Sequence, residues 1–167
     1  RQVRLDSGGV ILQIPTASLT IDWTDDDLVE VQDVRISAMG SSPSRLMVQE
    51  LMVLAGEIGA DFGYKHRLPL LYRTQAPPDH SSDEARISGR LLPLVDSFAA
   101  RRFMKRAEFS VHPAAHFGLG LPSYVQITSP IRRYADLACH RQIRAALQGS
   151  EPPWNEASLT ELAHHTE

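Results

Sequence analysis

Chemistry in this chain is most readily found at Arg132 and Arg133. They close the run Thr128-Ser129-Pro130-Ile131-Arg132-Arg133-Tyr134, with Asp136, His140 and Arg141 just beyond. Ser129 is a good helix N-cap and Pro130 suits the first helical position, so the spacing predicts a helix starting at Pro130. Cations placed there oppose the helix dipole, whose N-terminal end is already positive. An anion on the free backbone N–H groups would restore the balance, and phosphate is the commonest such anion. The alternative is two solvated arginines at a surface helix start.

The surrounding charge agrees with an anionic partner. The net charge is −3, yet residues 101–148 carry 8 Lys and Arg against 2 Asp and Glu. Residues 1–100 carry 9 against 14, and residues 149–167 add 4 acids and no Lys or Arg. A basic segment in an acidic chain is the electrostatic footprint of nucleic acid, although a solvated basic helix face would look the same. At 167 residues the chain has the size of one domain and can bury a core. One cysteine, Cys139, excludes an internal disulfide and fits a reducing compartment, so a cytoplasmic setting is expected. No apolar run approaches the roughly 20 residues of a membrane helix, and nothing at the start resembles a signal peptide.

Several elements must position these residues. Val10-Ile11-Leu12 and Leu19-Thr20-Ile21 read as strands of a small antiparallel sheet, with another strand from Val29-Glu30-Val31 to Val34-Arg35-Ile36. Residues 44–62 form the strongest helix. Met47, Leu51, Leu54 and Ile58 make its expected core stripe, with Glu50, Glu57 and Asp61 on the opposite face. Gly56 and Gly59 weaken that helix, which points to close packing against a neighbour. An extended segment over 68–75, helices near 83–88 and 92–106, and strands over 108–111 and 124–127 follow. The helix from Pro130 should reach Gln148 and stop at Gly149, and a last helix begins near Ser158. Neither end carries a cap or linker, so the chain reads as a piece of a larger protein.

His116-Phe117-Gly118-Leu119-Gly120-Leu121, then Tyr124, then Thr-Ser-Pro-Ile-Arg-Arg-Tyr, Asp136 and His140-Arg141 resemble the C-terminal signature of the RNB catalytic domain of the ribonuclease II and ribonuclease R family. Upstream, Ser42-Pro43-Ser44-Arg45 leading into Glu50-Leu51-Met52-Val53-Leu54-Ala55-Gly56-Glu57, and Pro69-Leu70-Leu71-Tyr72-Arg73, resemble further family segments in the same order. The resemblance implies an α+β fold, a mixed sheet flanked by helices, and residues 1–167 as the C-terminal half of such a domain. The N-terminal metal-binding half and the flanking OB-type and S1-type domains would lie outside it. It further implies 3′→5′ hydrolysis of single-stranded RNA to nucleoside 5′-monophosphates by a magnesium-dependent mechanism. The family's aspartate cluster, in a D-x5-D-x-D-D arrangement, is absent here, so the Mg2+ ligands are expected outside this stretch and these residues alone should be inactive.

By the same resemblance Arg132 matches the catalytic arginine. A planar, permanently charged fork suits a scissile phosphate whose charge grows in the transition state. On a helix Arg133 would point about 100° away, toward a neighbouring phosphate or a carboxylate. Arg132 and Asp136 stand at i and i+4, so Asp136 could orient that guanidinium, or the two could form an ordinary surface ion pair. Glu50 matches a glutamate near the RNA 3′ end and could accept from a ribose hydroxyl; an exposed acid on an amphipathic helix is the plainer reading. Tyr124, Tyr134 and Phe117 could stack on bases, with core packing the simpler role for Tyr134. Ser129, His116 and Arg141 complete the expected RNA contacts, and His116 and Arg141 could equally be structural. Asp22 with Asp25-Asp26-Asp27 could hold a cation but reads better as a solvated turn, and no metal ligand is assigned. The expected partners are single-stranded RNA and the N-terminal half of the same domain, with no membrane, the protein being a monomer. A non-catalytic RNA-binding module of the same fold is the alternative, and a helix-turn-helix lacks its short partner helix.

Overall fold

The computed structural model describes residues 1–14, 16–23, 31–39 and 42–166. Its helices are α1 (Gln2–Asp6), α2 (Pro43–Lys65), α3 (Ser81–Ile87), α4 (Leu94–Ala100), α5 (Tyr134–Leu147) and α6 (Glu156–Thr166). Its strands are β1 (Ile11–Leu12), β2 (Thr16–Trp23), β3 (Val31–Met39), β4 (Tyr72–Thr74), β5 (Leu91–Leu92) and β6 (Glu108–Ser110). This is the α+β composition expected. The strands form three two-stranded ladders, β1 parallel to β5, and β2–β3 and β4–β6 antiparallel.

Two strand readings are corrected. The Val10–Leu12 segment does not pair with Leu19–Ile21; β1 reaches across to β5, while β2 pairs with β3. Alternation of apolar residues marks a strand without naming its partner. Tyr124–Ile127 forms no regular strand; a bridge between Tyr72 and Val125 and the Arg73 N–H donating to the Tyr124 carbonyl at 2.8 Å tie it to β4. The acidic run Asp25-Asp26-Asp27 and residues Val29-Glu30 lie outside the described residues.

The long helix α2 carries the largest correction. Ser42 caps it by accepting from the Arg45 N–H at 3.3 Å, with Pro43 at the start. Its buried residues are Val53, Gly56, Gly59, Ala60 and Gly63, while Met47, Leu51, Leu54 and Ile58 are 47–60% exposed. The buried face is chosen by closeness rather than hydropathy. A Cβ built at Gly56 would lie 2.5 Å from the Val125 carbonyl oxygen and closer still to the Tyr124 ring. Only small residues let the helix approach that segment, as Gly56 and Gly59 hinted, and the larger apolar side chains turn outward. Glu50 and Glu57 flank the outward stripe instead of opposing it, since both line one groove with Leu51 and Leu54.

The main core joins α2, β4, α5 and α6 through Ala60, Leu70, Leu71, Val125, Cys139 and Leu159. Gln142, fully buried, fastens it: its amide donates to the Pro69 carbonyl at 2.9 Å and the Trp154 carbonyl at 2.8 Å and accepts from the Trp154 N–H at 3.0 Å. A buried amide so satisfied costs little and fixes the geometry of what it joins. Helix α5 stops where expected, with Gly149 left-handed at φ 67°. Helix α6 starts at Glu156, where Asn155 accepts from the Ser158 N–H at 2.9 Å.

Candidate functional site

The arginines do not sit on a helix. Helix α5 begins at Tyr134, and residues 129–133 form a turn in which the Ser129 carbonyl accepts from the N–H groups of Arg132 at 3.2 Å and Arg133 at 3.1 Å. The cause is Asp136. Its side chain is fully buried, and one carboxylate oxygen accepts from the Ser129 N–H at 2.8 Å and from Arg133 Nη2 at 2.7 Å. Folding the chain back onto that carboxylate holds residues 129–133 outside the helix and places an acid in the first turn, where the dipole favours it. Ser129 is therefore the anchor of the turn and not a helix cap.

The expected pairing of Asp136 with Arg132 is replaced by a pairing with Arg133, at i and i+3. The i, i+4 geometry applies only where both residues are helical, and Arg132 is not. Arg133, half-buried, is fixed by Asp136 and also donates to Thr128 Oγ1 at 3.4 Å. Arg132 is exposed, its guanidinium donating to Ser129 Oγ at 3.2 Å. The next residue upstream, Ile131, is fully exposed, so the tip of the turn stands clear of the protein.

Two cavities flank the turn. One, of about 430 Å3, lies between the start of α2 and the turn and is lined by Ser44, Arg45, Val53, Tyr124, Thr128 and Arg133. The other, of about 350 Å3, lies on the far side against Arg73, Arg106, Arg132, Arg133 and Tyr134. Tyr124 is buried, its ring edge-on to His116 at 5.9 Å between centroids, and burial raises its hydroxyl above the usual tyrosine range. His116 is held by its backbone, which both donates to and accepts from the loop: its N–H donates to the Leu121 carbonyl at 2.9 Å and its carbonyl accepts from the Gly120 N–H at 3.1 Å. Burial pulls the imidazole down to about 4, so it is neutral near pH 7. A neutral ring does not attract phosphate as a cation, but its one N–H can still donate to a phosphate or ribose oxygen. Tyr134 is 52% exposed and lines the second cavity, which corrects the expectation that it packs in the core. Phe117 does pack, against the cluster of Val10, Ile87, Leu92 and Ala100.

Glu50 points away from both cavities, into the groove on the other side of α2. Arg4 of α1 grips it in bidentate fashion, with Nη2 to Oε1 at 2.7 Å and Nε to Oε2 at 3.1 Å, and donates a further bond to the Leu119 carbonyl at 3.2 Å. Those hydrogen bonds and the Arg4 charge hold the Glu50 carboxyl below the usual carboxylate range. The structure thus brings Tyr124, Ser129, Arg133 and the Arg132 turn together, with Asp136 beneath them. It sets Glu50 apart behind α2 and leaves Arg141 exposed further along α5. Sequence reasoning passed over Arg4, Arg45, Arg73 and Arg106. Arg106 lies in the basic segment, but nothing local marks Arg4, whose partner is 46 residues away. Among the described residues, no three His, Cys, Asp or Glu side chains come together to hold a metal ion, so the magnesium implied by the resemblance finds no donor set in them.

The RNB domain model matches residues 1–149. The chain belongs to the RNB family. An uncharacterized ribonuclease of Synechocystis sp. is 36% identical over 163 residues, covering 98% of this chain and 23% of that protein. RNB fold similarity extends to solved structures. An active-site mutant of the Dss1 exoribonuclease from Candida glabrata superposes with a TM-score of 0.73 at 19% identity, over 93% of this chain and 20% of that one. Mycoplasma genitalium RNase R in complex with ribose-methylated single-stranded RNA gives 0.62 at 21%, over 99% of this chain and 29% of that one. The chain therefore spans about a quarter of the length of these RNB relatives. None of its described helices is long and apolar enough to cross a membrane.

Proposed function

We propose that the protein is a 3′→5′ exoribonuclease that hydrolyses single-stranded RNA to nucleoside 5′-monophosphates, and that this chain supplies the arginine side of its active site. The observation that carries the reading is the turn pinned by buried Asp136, which fixes Arg133 and projects Arg132 as a planar cation from a rigid base. A guanidinium held in place before the reaction stabilises charge developing on a phosphoryl oxygen without reorganising, which is where such groups gain most. Arg132 grips the scissile phosphate, and Arg133, already neutralised in part by Asp136, positions the adjoining backbone. Tyr124 and Arg45 wall the cavity that receives the terminal nucleotide. Glu50, engaged by Arg4, acts through the placement of α2 against the RNA end. Magnesium, with ligands outside these residues, would supply Lewis-acid chemistry at the phosphate. The setting proposed is a monomer in a reducing, cytoplasmic compartment.

The test is product analysis with the intact protein on 5′-labelled oligoadenylate in magnesium buffer. Stepwise shortening with release of 5′-AMP supports the reading. Tight binding with no cleavage would replace it by the non-catalytic RNA-binding module.

A further inference from the structure

Helix α2 forms one wall of the Tyr124 cavity, and Tyr124, Thr128 and Arg133 form the other. The second wall leads out of the glycine loop, residues 116–121, so whatever fixes that loop against α2 also sets the spacing of the walls. Arg4 makes such a connection without lining the cavity itself. Its side chain is buried, and the guanidinium divides its donors between the two parts. Nη2 and Nε donate to the Glu50 carboxylate of α2 at 2.7 and 3.1 Å, and Nη1 donates to the Leu119 carbonyl of the loop at 3.2 Å. The Arg4 backbone is engaged as well. Its carbonyl accepts from the Gly9 N–H at 2.8 Å, and a Cβ at Gly120 would lie 2.5 Å from that same oxygen. The loop therefore closes over Arg4 at a distance that only glycine at position 120, with φ 65°, permits.

The loop carries this placement to the cavity. Leu119 packs on the cluster of Val53, Leu121 and Tyr124, and His116 stands edge-on to the Tyr124 ring. Two further ties run elsewhere: the Gly118 carbonyl accepts from the Val10 N–H at 2.9 Å, and the Gly118 N–H donates to Gln75 Oε1 at 2.8 Å. The Arg4 tie runs to α2. A largely desolvated ion pair adds little net stability over apolar side chains of similar volume, whereas a planar fork with three engaged donors fixes its partners in direction as well as distance. We infer that Arg4 is a positioning residue: it locks the glycine loop onto α2 and thereby holds Tyr124 at the spacing that admits a terminal nucleotide. The inference rests on the reading of the Tyr124 cavity given above.

The experiment measures the Kd of AMP for the intact protein in EDTA, in the wild type, Arg4→Lys and Arg4→Met. Binding is measured well below the lowest of the three melting temperatures, so that only folded protein is compared. Arg4→Lys keeps a cation beside Glu50 and loses the fork, and AMP should bind about tenfold more weakly, the effect of about one lost hydrogen bond to a charged group. Arg4→Met loses both partners, and about 30-fold weaker binding is expected; should that variant not fold, Arg4→Lys decides alone. A merely structural ion pair predicts lower melting temperatures with AMP affinity unchanged, so a Kd within about twofold of the wild type in Arg4→Lys overturns the inference. A wild type that does not bind AMP overturns it too. Absence of RNA cleavage by the wild type, with AMP binding still dependent on Arg4, would remove the exoribonuclease reading and leave this inference standing.

Discussion

Replacing Asp136 by Asn tests the turn at its foundation. The side chain is fully buried, and one oxygen receives two hydrogen bonds, from the Ser129 N–H at 2.8 Å and from Arg133 at 2.7 Å. Bonds to charged groups contribute about 1.5–3 kcal/mol and neutral ones about 0.5–1.5, so losing the charge from both removes about 2–3 kcal/mol. Easier burial of a neutral amide offsets part of this. The Arg133 side chain keeps 30% exposure, which screens its share. A net local loss of about 2 kcal/mol is expected, and about 4 for Asp136→Ala, which leaves Arg133 unpaired. The readout is amide hydrogen exchange in the intact protein, because local opening is the quantity predicted. Two kcal/mol corresponds to roughly 30-fold faster exchange across residues 129–133, at 1.4 kcal/mol per factor of ten. Combining Asp136→Asn with Arg133→Gln should show coupling of about 1–2 kcal/mol. Exchange within about twofold of the wild type in Asp136→Asn would refute the claim that this carboxylate holds the turn.

Two further predictions concern the scaffold. Gly56→Ala pushes a methyl against the Val125 carbonyl oxygen at 2.5 Å and the Tyr124 ring, so α2 must shift; a loss of about 2–3 kcal/mol is expected, read as a lower melting temperature, and an unchanged one would contradict the close packing. His116 is neutral in the fold to about pH 4, whereas an unfolded histidine takes its proton near 6.5. The unfolded state therefore binds the proton first as pH falls; the contribution is intact above about 6.5 and is lost on the way down through 4, about 3 kcal/mol in all at 1.36 per unit. His116→Gln should flatten the melting temperature between pH 6.5 and 4, and identical slopes for the two proteins would show the ring is not held neutral.

The candidate site residues were more legible than the geometry that presents them. Arg132, Arg133 and Asp136 stand out by type and spacing, and their grouping is visible within residues 132–136. The identity of the pairing was not, because helix periodicity assumes a helix, and a buried carboxylate accepting a backbone N–H undoes that assumption for five residues. The same limit shows in α2. Hydropathy assigns the buried face to Met47, Leu51, Leu54 and Ile58, but the approach distance to Tyr124 and Val125 belongs to a segment some 70 residues away, and only small side chains satisfy it. The stop of α5 fared better, since Gly149 acts through its own backbone. Arg4 and Arg73 became visible only once distant segments met, with Glu50 and Phe109 respectively.

The central claim is that Arg132 stabilises the reacting phosphate. Its most direct test is single-turnover cleavage of oligoadenylate, labelled at the phosphate of its 3′-terminal nucleotide, by a saturating excess of the intact protein carrying Arg132→Lys. Lysine keeps the charge and loses the planar fork, so the account predicts a fall of about 10²–10³ in the rate of 5′-AMP release, with RNA affinity changed by less than about threefold. A rate within about threefold of the wild type would contradict it.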